Sequence, residues 1–435
     1  MKKIHFLSLL WLATTQFTFA ALPDSTRSLE RCITEGVRTS NALQAKRFTR
    51  MASESESEAI RSLQLPSLAL RGSYNYTSKT QELGAALPAI PGLPESNLTF
   101  GDGNVYDVNA GLTIPLYSGG TLISRQRAAI ADESSIRWET VSDSLTLVKQ
   151  IRRAYFLATG QQANLDAARS HTERLARHLK EIEGSQAIGV ASEDARLAVL
   201  ASLSAAEATV IKAEAATRNA RLQLGKFVSD VLLEIYPEDH LQTPILTEEN
   251  LGSMAASGKP EIKMLDSRIL QRNYLSRASS GSLLPSVGAS AVYHYAKPGV
   301  DAIENEWMDY YTLGISASWV FWDFNEGRSR SRSHKYHAQS LSEARTEMLS
   351  ALDLRESVAQ TLLAAAKPIE EKLRERLVVV ERQAVLIGNK LQAGLASESQ
   401  WLDSQDDLTA AEQEWISAMV ALRLAEADYL YAIGR

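Results

Sequence analysis

The side chains with reactive chemistry are few and poorly assembled. His334 and His337 stand three residues apart in a helical stretch, a spacing at which two imidazoles can pinch a metal, but no cysteine or close carboxylate completes a ligand set. They read as a surface pair, with no metal or cofactor expected. Cys32 is the single cysteine, so no internal disulfide forms, and it lacks the small-residue box of a lipid-anchored cysteine; it reads as a small hydrophobe on a helix face. The run RSRSRSHK (328–335) offers positive charge to lipid headgroups and reads equally well as a solvated helix start. No nucleophile elbow, phosphate-cradling glycine loop or HExxH motif is present, so no catalytic residues and no enzyme are expected. The formal net charge of −6 gives no basic excess for nucleic acid.

The larger organisation is more informative. GVASEDARLAVLASLSAAE (189–207) returns as GLASESQWLDSQDDLTAAE (394–412), and LPSLALRGSYNY (65–76) returns as LPSVGASAVYHY (284–295). Such copying marks two half-chains of one plan, far too long in period for a solenoid. Lys2 and Lys3, the apolar run FLSLLWLA and the small residues ending at Ala20 form a secretory signal peptide over 1–20. The expected division is a first repeat at 21–235, a connecting segment at 236–259 (YPEDHLQTPILTEENL opens it) and a second repeat at 260–435.

Four segments alternate with period two: 66–77, 105–117, 285–296 and 310–322. One face carries Leu68, Leu70, Gly72, Tyr74 and Tyr76; then Tyr106, Val108, Ala110, Leu112, Ile114 and Leu116; then Val287, Ala289, Ala291, Tyr293 and Tyr295; then Tyr311, Leu313, Ile315, Ala317, Trp319 and Phe321. None of these residues is charged. Alternation over about ten residues with aromatics near the ends is the pattern of a transmembrane barrel strand, and a half-buried soluble sheet alternates in the same way. The connection 78–104, with Pro88, Pro91 and Pro94, and the connection 297–309 read as loops.

The remainder is helical: 26–64, 120–186, 192–228, 260–280, 326–391 and 397–432. A helix of some 65 residues reaches about 100 Å, and Pro368 is expected to kink or interrupt the fifth of these. Four strands cannot close a barrel, and each open edge in lipid strands backbone groups at a cost of several kcal/mol apiece. Copies of the chain are therefore expected to pool strands: eight from two copies, twelve from three. Gly189 and Gly394 suit helix C-caps, and Ser192 and Ser397 suit the N-caps of returning helices, so each G-[VL]-A-S-E is a hairpin turn at the end far from the membrane.

Signal peptide, strand pairs within long helices, duplication and these turns together resemble the TolC-like outer-membrane efflux family, over nearly all of the mature chain. The resemblance implies a mostly α fold in which long antiparallel hairpins form an α-barrel tunnel through the periplasm. It also implies a homotrimer sharing a twelve-stranded β-barrel in the outer-membrane lipid of a Gram-negative bacterium. The function implied is an exit duct for efflux or type I secretion, passive itself and fed by an inner-membrane transporter of the RND or ABC type through a periplasmic adaptor. Gly189, Val190, Ala191 and Ser192, with Gly394, Leu395, Ala396 and Ser397, would be the adaptor-docking tips.

The family narrows its entrance with aspartates six and nine residues past the second tip glycine. Those positions hold Gln400 and Asp403, so only Asp403 carries over, and threefold symmetry would set three such carboxylates around one axis. The family's latch tyrosine and arginine fall on Leu391 and Ala396, and a different closing network is expected, drawing on Asp406, Asp407 or Gln405. The competing reading is a periplasmic coiled-coil scaffold or adaptor with soluble sheets, which would tolerate charges on the apolar faces. The cargo, small molecule or protein, is set by the partner pump and is not written in this chain.

Overall fold

The computed structural model describes residues 26–79, 81–83, 98–100, 103–188, 191–228, 233–246, 255–301 and 305–435. The expected signal peptide lies outside them. Two 67-residue helices, α3 (Thr121–Ala187) and α6 (Glu326–Gln392), dominate the chain. Each is too long for one partner. The first half of α3 packs on α2 (Asn41–Ser62) and α5 (Pro260–Gly281), its second half on α4 (Glu193–Val228) and α7 (Glu398–Ala432). Helix α6 packs on α5 and then on α7. Helix α2, two strands, α3 and α4 thus parallel α5, two strands, α6 and α7, with near-equal lengths at every step: 22, 67 and 36 residues for the first set of helices, 22, 67 and 35 for the second.

The spacing of buried residues explains the pairing. Along α3, Ile151, Ala158 and Leu165 recur every seven residues, as do Ala168, Leu175 and Ile182. This is the seam of a coiled coil rather than the broad stripe of a globular helix. Gly160 lets α3 approach α7, since a Cβ there would sit 2.3 Å from Val420 Cγ2. Ionic rungs cross the same contacts: Arg268 on α5 meets Glu139 on α3 at 2.9 Å, and Arg169 on α3 meets Glu214 on α4 at 2.7 Å.

Two helix expectations and one loop expectation change. The stretch 26–64 is not one helix: β1 (Thr26–Arg27) precedes α1 (Leu29–Thr39), and Ser40 then ends α1 and starts α2, its hydroxyl accepting from Leu43 N. A serine side chain that caps competes with continued helix. Pro368 does not interrupt α6, which runs unbroken from Glu326 to Gln392. Proline removes one hydrogen bond, and contact with α5 and α7 on either side retains the helix. Loop 78–104 contains a short antiparallel pair, β3 (Gln81–Leu83) and β4 (Leu98–Phe100).

The four long strands are β2 (Ser67–Tyr76), β5 (Asn104–Ser118), β7 (Ser286–Lys297) and β8 (Met308–Ser318). The two predicted pairs join through β5 and β7 into one antiparallel sheet of order β2-β5-β7-β8. The fourth strand stops at Ser318 rather than 322. Its partner β7 begins at Ser286, which pairs with Ser318, so Trp319 onward has no strand to pair with. A bulge between Pro115 and Tyr117 shifts the register, so that Tyr117 opposes Val287 where alternation had placed Leu116 on that face.

Where sheet-side and distal helices meet, the connecting segment is sewn to the body. Strand β6 (Tyr236–Pro237) pairs in parallel with β1. Buried Tyr155 accepts N–H from Glu238 and Asp239 at 3.1 and 2.9 Å. Cys32 lies in this core beside Ile151, Tyr155 and Leu224 and is fully buried. Burial, helped by the charge of Glu35, pushes its thiol up to about 12. The thiolate is the reactive form, so maleimide at neutral pH is expected to leave Cys32 unlabelled in native protein and label it in denaturant. Fast labelling of the native chain would contradict this packing.

Candidate functional site

Two regions carry the features that matter: the sheet, and the helix ends farthest from it. In the sheet, registered pairing brings the apolar residues of all four strands onto one face. The row Leu68–Leu112–Ala291–Leu313 crosses every strand, followed by Leu70–Ala110–Tyr293–Tyr311. This face is unpartnered among the described residues: Leu68, Leu70, Leu313 and Ile315 are 72 to 79% exposed. Aromatic residues gather at one end, where Tyr74 lies 4.9 Å from Tyr106 and Tyr295 stacks on Trp307 at 4.9 Å. At the other end stand Tyr117, Trp319, Phe321 and Trp322.

The opposite face is polar. Asn109 donates to Asp107 at 2.8 Å, Asp107 meets His294 at 3.1 Å, and His294 stacks on Tyr310. Among the described residues, strands β2 and β8 each have one neighbour, so both edges of the sheet are open there. The sheet thus has one largely apolar face, with Lys297 and Asp309 only at its aromatic end, one polar face and two open edges.

At the distal end, Gly189 and Val190 lie outside the described residues. Their neighbour Ala191 donates to Ser185 O at 3.4 Å, and Ser192 Oγ accepts from Ala195 N at 3.2 Å, capping α4. The second turn is fully described. Gly394 takes φ +73°, its N–H bonds Leu391 O, and Leu395 N–H bonds Lys390 O, which together close a Schellman motif. Leu395 is left 78% exposed at the tip. Ser397 and Gln400 form a reciprocal capping box, Gln400 Oε1 accepting from Ser397 N at 2.9 Å. The glutamine at the first aspartate position therefore has a local role in starting α7.

Gln400, Asp403 and Asp407 share an exposed face of α7. They line a groove of about 360 Å³ with Leu395 and Ala396 of the turn and Gln383 and Lys390 of α6. Asp406 stands apart, on the side of α7 that faces α3, with His171 Nε2 at 3.5 Å. Burial, with Arg174 pushing the same way, holds His171 below its usual range. Gln405 is buried between helices and does not reach the groove.

A polar contact near the tips joins the two hairpins. His178 of α3 bonds Glu398, in the first turn of α7, through Nε2, and its ring lies 3.9 Å from that of Trp401. This also separates the repeated glutamates. Glu193 closes its own hairpin, bound by Arg196 at 2.6 Å and Gln186 at 2.5 Å, which hold its carboxyl down at about 2. Glu398, its copy, reaches instead across to the first hairpin. The sequence signal was slight: His171 and His178 lie one heptad apart on α3.

The comparisons agree with this geometry. The profile of the outer membrane efflux protein family matches residues 37–228 and 251–435. No curated protein sequence matches the chain significantly. Among solved structures, a membrane protein from Pseudomonas aeruginosa superposes with a TM-score of 0.77 at 16% identity, over 93% of each chain. The open-state MtrE outer membrane channel of Neisseria gonorrhoeae gives 0.75 at 16%, over 93% of this chain and 88% of that one. The CmeC outer membrane channel of Campylobacter jejuni gives 0.75 at 13%, over 93% and 85%.

Proposed function

Because this chain belongs to the outer membrane efflux protein family, whose members are outer-membrane ducts of tripartite pumps, we propose that three copies form one duct. Their twelve strands close the barrel and their helices extend it through the periplasm to an adaptor and an inner-membrane transporter. The observation that carries this is the open-edged sheet with its exposed apolar face: unpaired edges are not stable in lipid, and such a face is not stable in water. Exposed apolar stripes on the helices support it too. Leu354, Val358, Leu362 and Ile369 line one side of α6, and Leu197, Leu200 and Ile211 stand out on α4, available to sibling copies. Fractionation tests it directly: the protein should be in the outer-membrane fraction as a heat-modifiable trimeric band. A wholly soluble periplasmic pool would favour the scaffold reading instead.

The two turns are the adaptor-docking tips in this reading, Leu395 being the exposed apolar contact of the second. The groove residues Gln400, Asp403 and Asp407 form the narrowed entrance, and His178 holds α7 against α3, in place of the family's latch. Three Asp403 carboxylates around one axis attract cations and restrict the opening. In planar bilayers, Asp403→Ala is expected to raise single-channel conductance and weaken divalent-cation block. His178→Ala is expected to raise conductance while leaving the block in place, because it frees the helix without removing the carboxylates. Wild-type conductance in both variants would remove the groove and the latch from the entrance.

A further inference from the structure

The turn from β8 into α6 departs from its counterpart in the first half. After β5, Ser118 Oγ accepts from Leu122 N, with Gly119 and Gly120 at φ +61° and +75°. After β8, Asp323 Oδ2 accepts from Gly327 N in the same way, but Phe324 and Asn325 occupy the left-handed positions, at φ +51° and +67°. Gly119 is sterically required, since a Cβ would lie 2.2 Å from Gly281 O. The left-handed backbone disfavours any bulky residue, and the one ring contact of Phe324 among the described residues is edge-to-face with Trp322 at 5.9 Å, itself an exposed side chain. The Phe324 ring is 86% exposed, beside Trp322 at 67% and Phe321 at 80%.

Positive charge collects one turn away. The start of α3 brings Arg125 and Arg127, the end of α5 Arg272 and Arg277, and the start of α6 Arg328, Arg330, Arg332 and Lys335. The acids in this turn are Asp323, occupied by the N–H groups of Asn325 and Gly327, and Glu326, paired with Arg330. Between the three helix ends lies a cavity of about 420 Å³ lined by Arg125, Arg330, His334, Ser279 and Ser282, with Val320 on one wall and the already engaged carboxylates of Asp323 and Glu326 also in its lining. His334 Nδ1 is buried there without a partner. Its burial, with Arg272 next, holds the imidazole below its usual range, as expected beside so many cations.

We propose that this cavity takes the phosphate of a membrane phospholipid headgroup, gripped by Arg125 and Arg330, while Phe324 and Trp322 lie among the acyl chains beside it. The proposal rests on the membrane placement of the sheet and is independent of the entrance. A free phosphate would share the cationic contacts but would leave the aromatic rings in water, so the lipid is the ligand the whole site fits.

The test uses the purified protein in detergent, titrated with phosphatidylglycerol or with inorganic phosphate, and read by native mass spectrometry and melting temperature. Wild type should retain phosphatidylglycerol and melt higher with it. The double variant Arg125→Ala/Arg330→Ala should bind it roughly thirtyfold more weakly, about fivefold per arginine. Phe324→Gly relieves the backbone, so it should melt no lower without lipid, yet lose roughly tenfold in lipid affinity with the buried ring. Wild-type lipid affinity in these variants would overturn the proposal. So would inorganic phosphate matching the lipid, or Phe324→Gly losing its sibling copies in lipid-free detergent, which would make the ring a contact between copies.

Discussion

Leu313→Arg is expected to keep the chain out of the outer membrane and abolish the assembled band, whereas Thr312→Arg, one residue earlier, assembles. Leu313 is the central residue of β8 and ends the uncharged row that begins at Leu68. A cationic side chain at the bilayer midplane costs about 2–4 kcal/mol in a transmembrane barrel. A shared barrel multiplies that cost by the number of copies. Thr312 points to the other face, opposite Val292 in the row that contains Gly111, where a charge meets water. Quantifying trimer in membrane fractions decides this. Equal assembly of both variants would show that neither face meets lipid.

The second large effect lies in the helical body. Arg423 and Glu426 of α7 are each 6% exposed. They are bonded twice, at 2.7 and 2.6 Å, and together fix the connecting segment: Arg423 Nε donates to Leu241 O at 2.8 Å, and Ile245 N donates to Glu426 at 3.1 Å. Removing one partner of a buried pair leaves an uncompensated charge and costs about 3–5 kcal/mol, while replacing both with apolar groups is often neutral. Glu426→Ala is thus expected to lower the thermal midpoint in detergent sharply. Arg423→Met/Glu426→Leu should recover most of the loss, retaining only the deficit of the unmatched Leu241 and Ile245 backbone groups. A double variant no more stable than the single one would mean that the pair itself, rather than relief of a buried charge, holds the segment.

What the sequence disclosed follows from what each period encodes. A strand's side chains alternate by geometry, so Leu68, Leu112, Ala291 and Leu313 were assignable to one face before any pairing was known. Leu116 falls off the face that alternation gives it because the bulge at Pro115 depends on the register with β7, whose Val287 faces Tyr117 from 170 residues away in sequence. Both α3 and α6 were legible as helix, but the continuity of α6 through Pro368 was not, since the penalty of a proline is local and the packing that offsets it is not. The recurrence of Glu193 as Glu398 was visible and its meaning hidden: each glutamate is defined by a partner, Arg196 within one hairpin and His178 across two. Asp403 was named through the family resemblance, and Asp407 stood beside Asp406 and Gln405 as one option; the direction in which α7 faces its neighbours sets Asp403 and Asp407 in the groove and the other two away from it.

The central claim is that the four-stranded sheet is a third of a closed wall. Single cysteines placed on its two edges, Leu70→Cys on β2 and Leu313→Cys on β8, in a background with Cys32→Ser, test it through oxidation in native membranes. The combined variant is expected to give covalently linked dimers and trimers, and each single-edge variant alone to remain monomeric on a denaturing gel. A combined variant that stays monomeric, with the protein recovered from the soluble fraction, would contradict the shared barrel and the duct built on it.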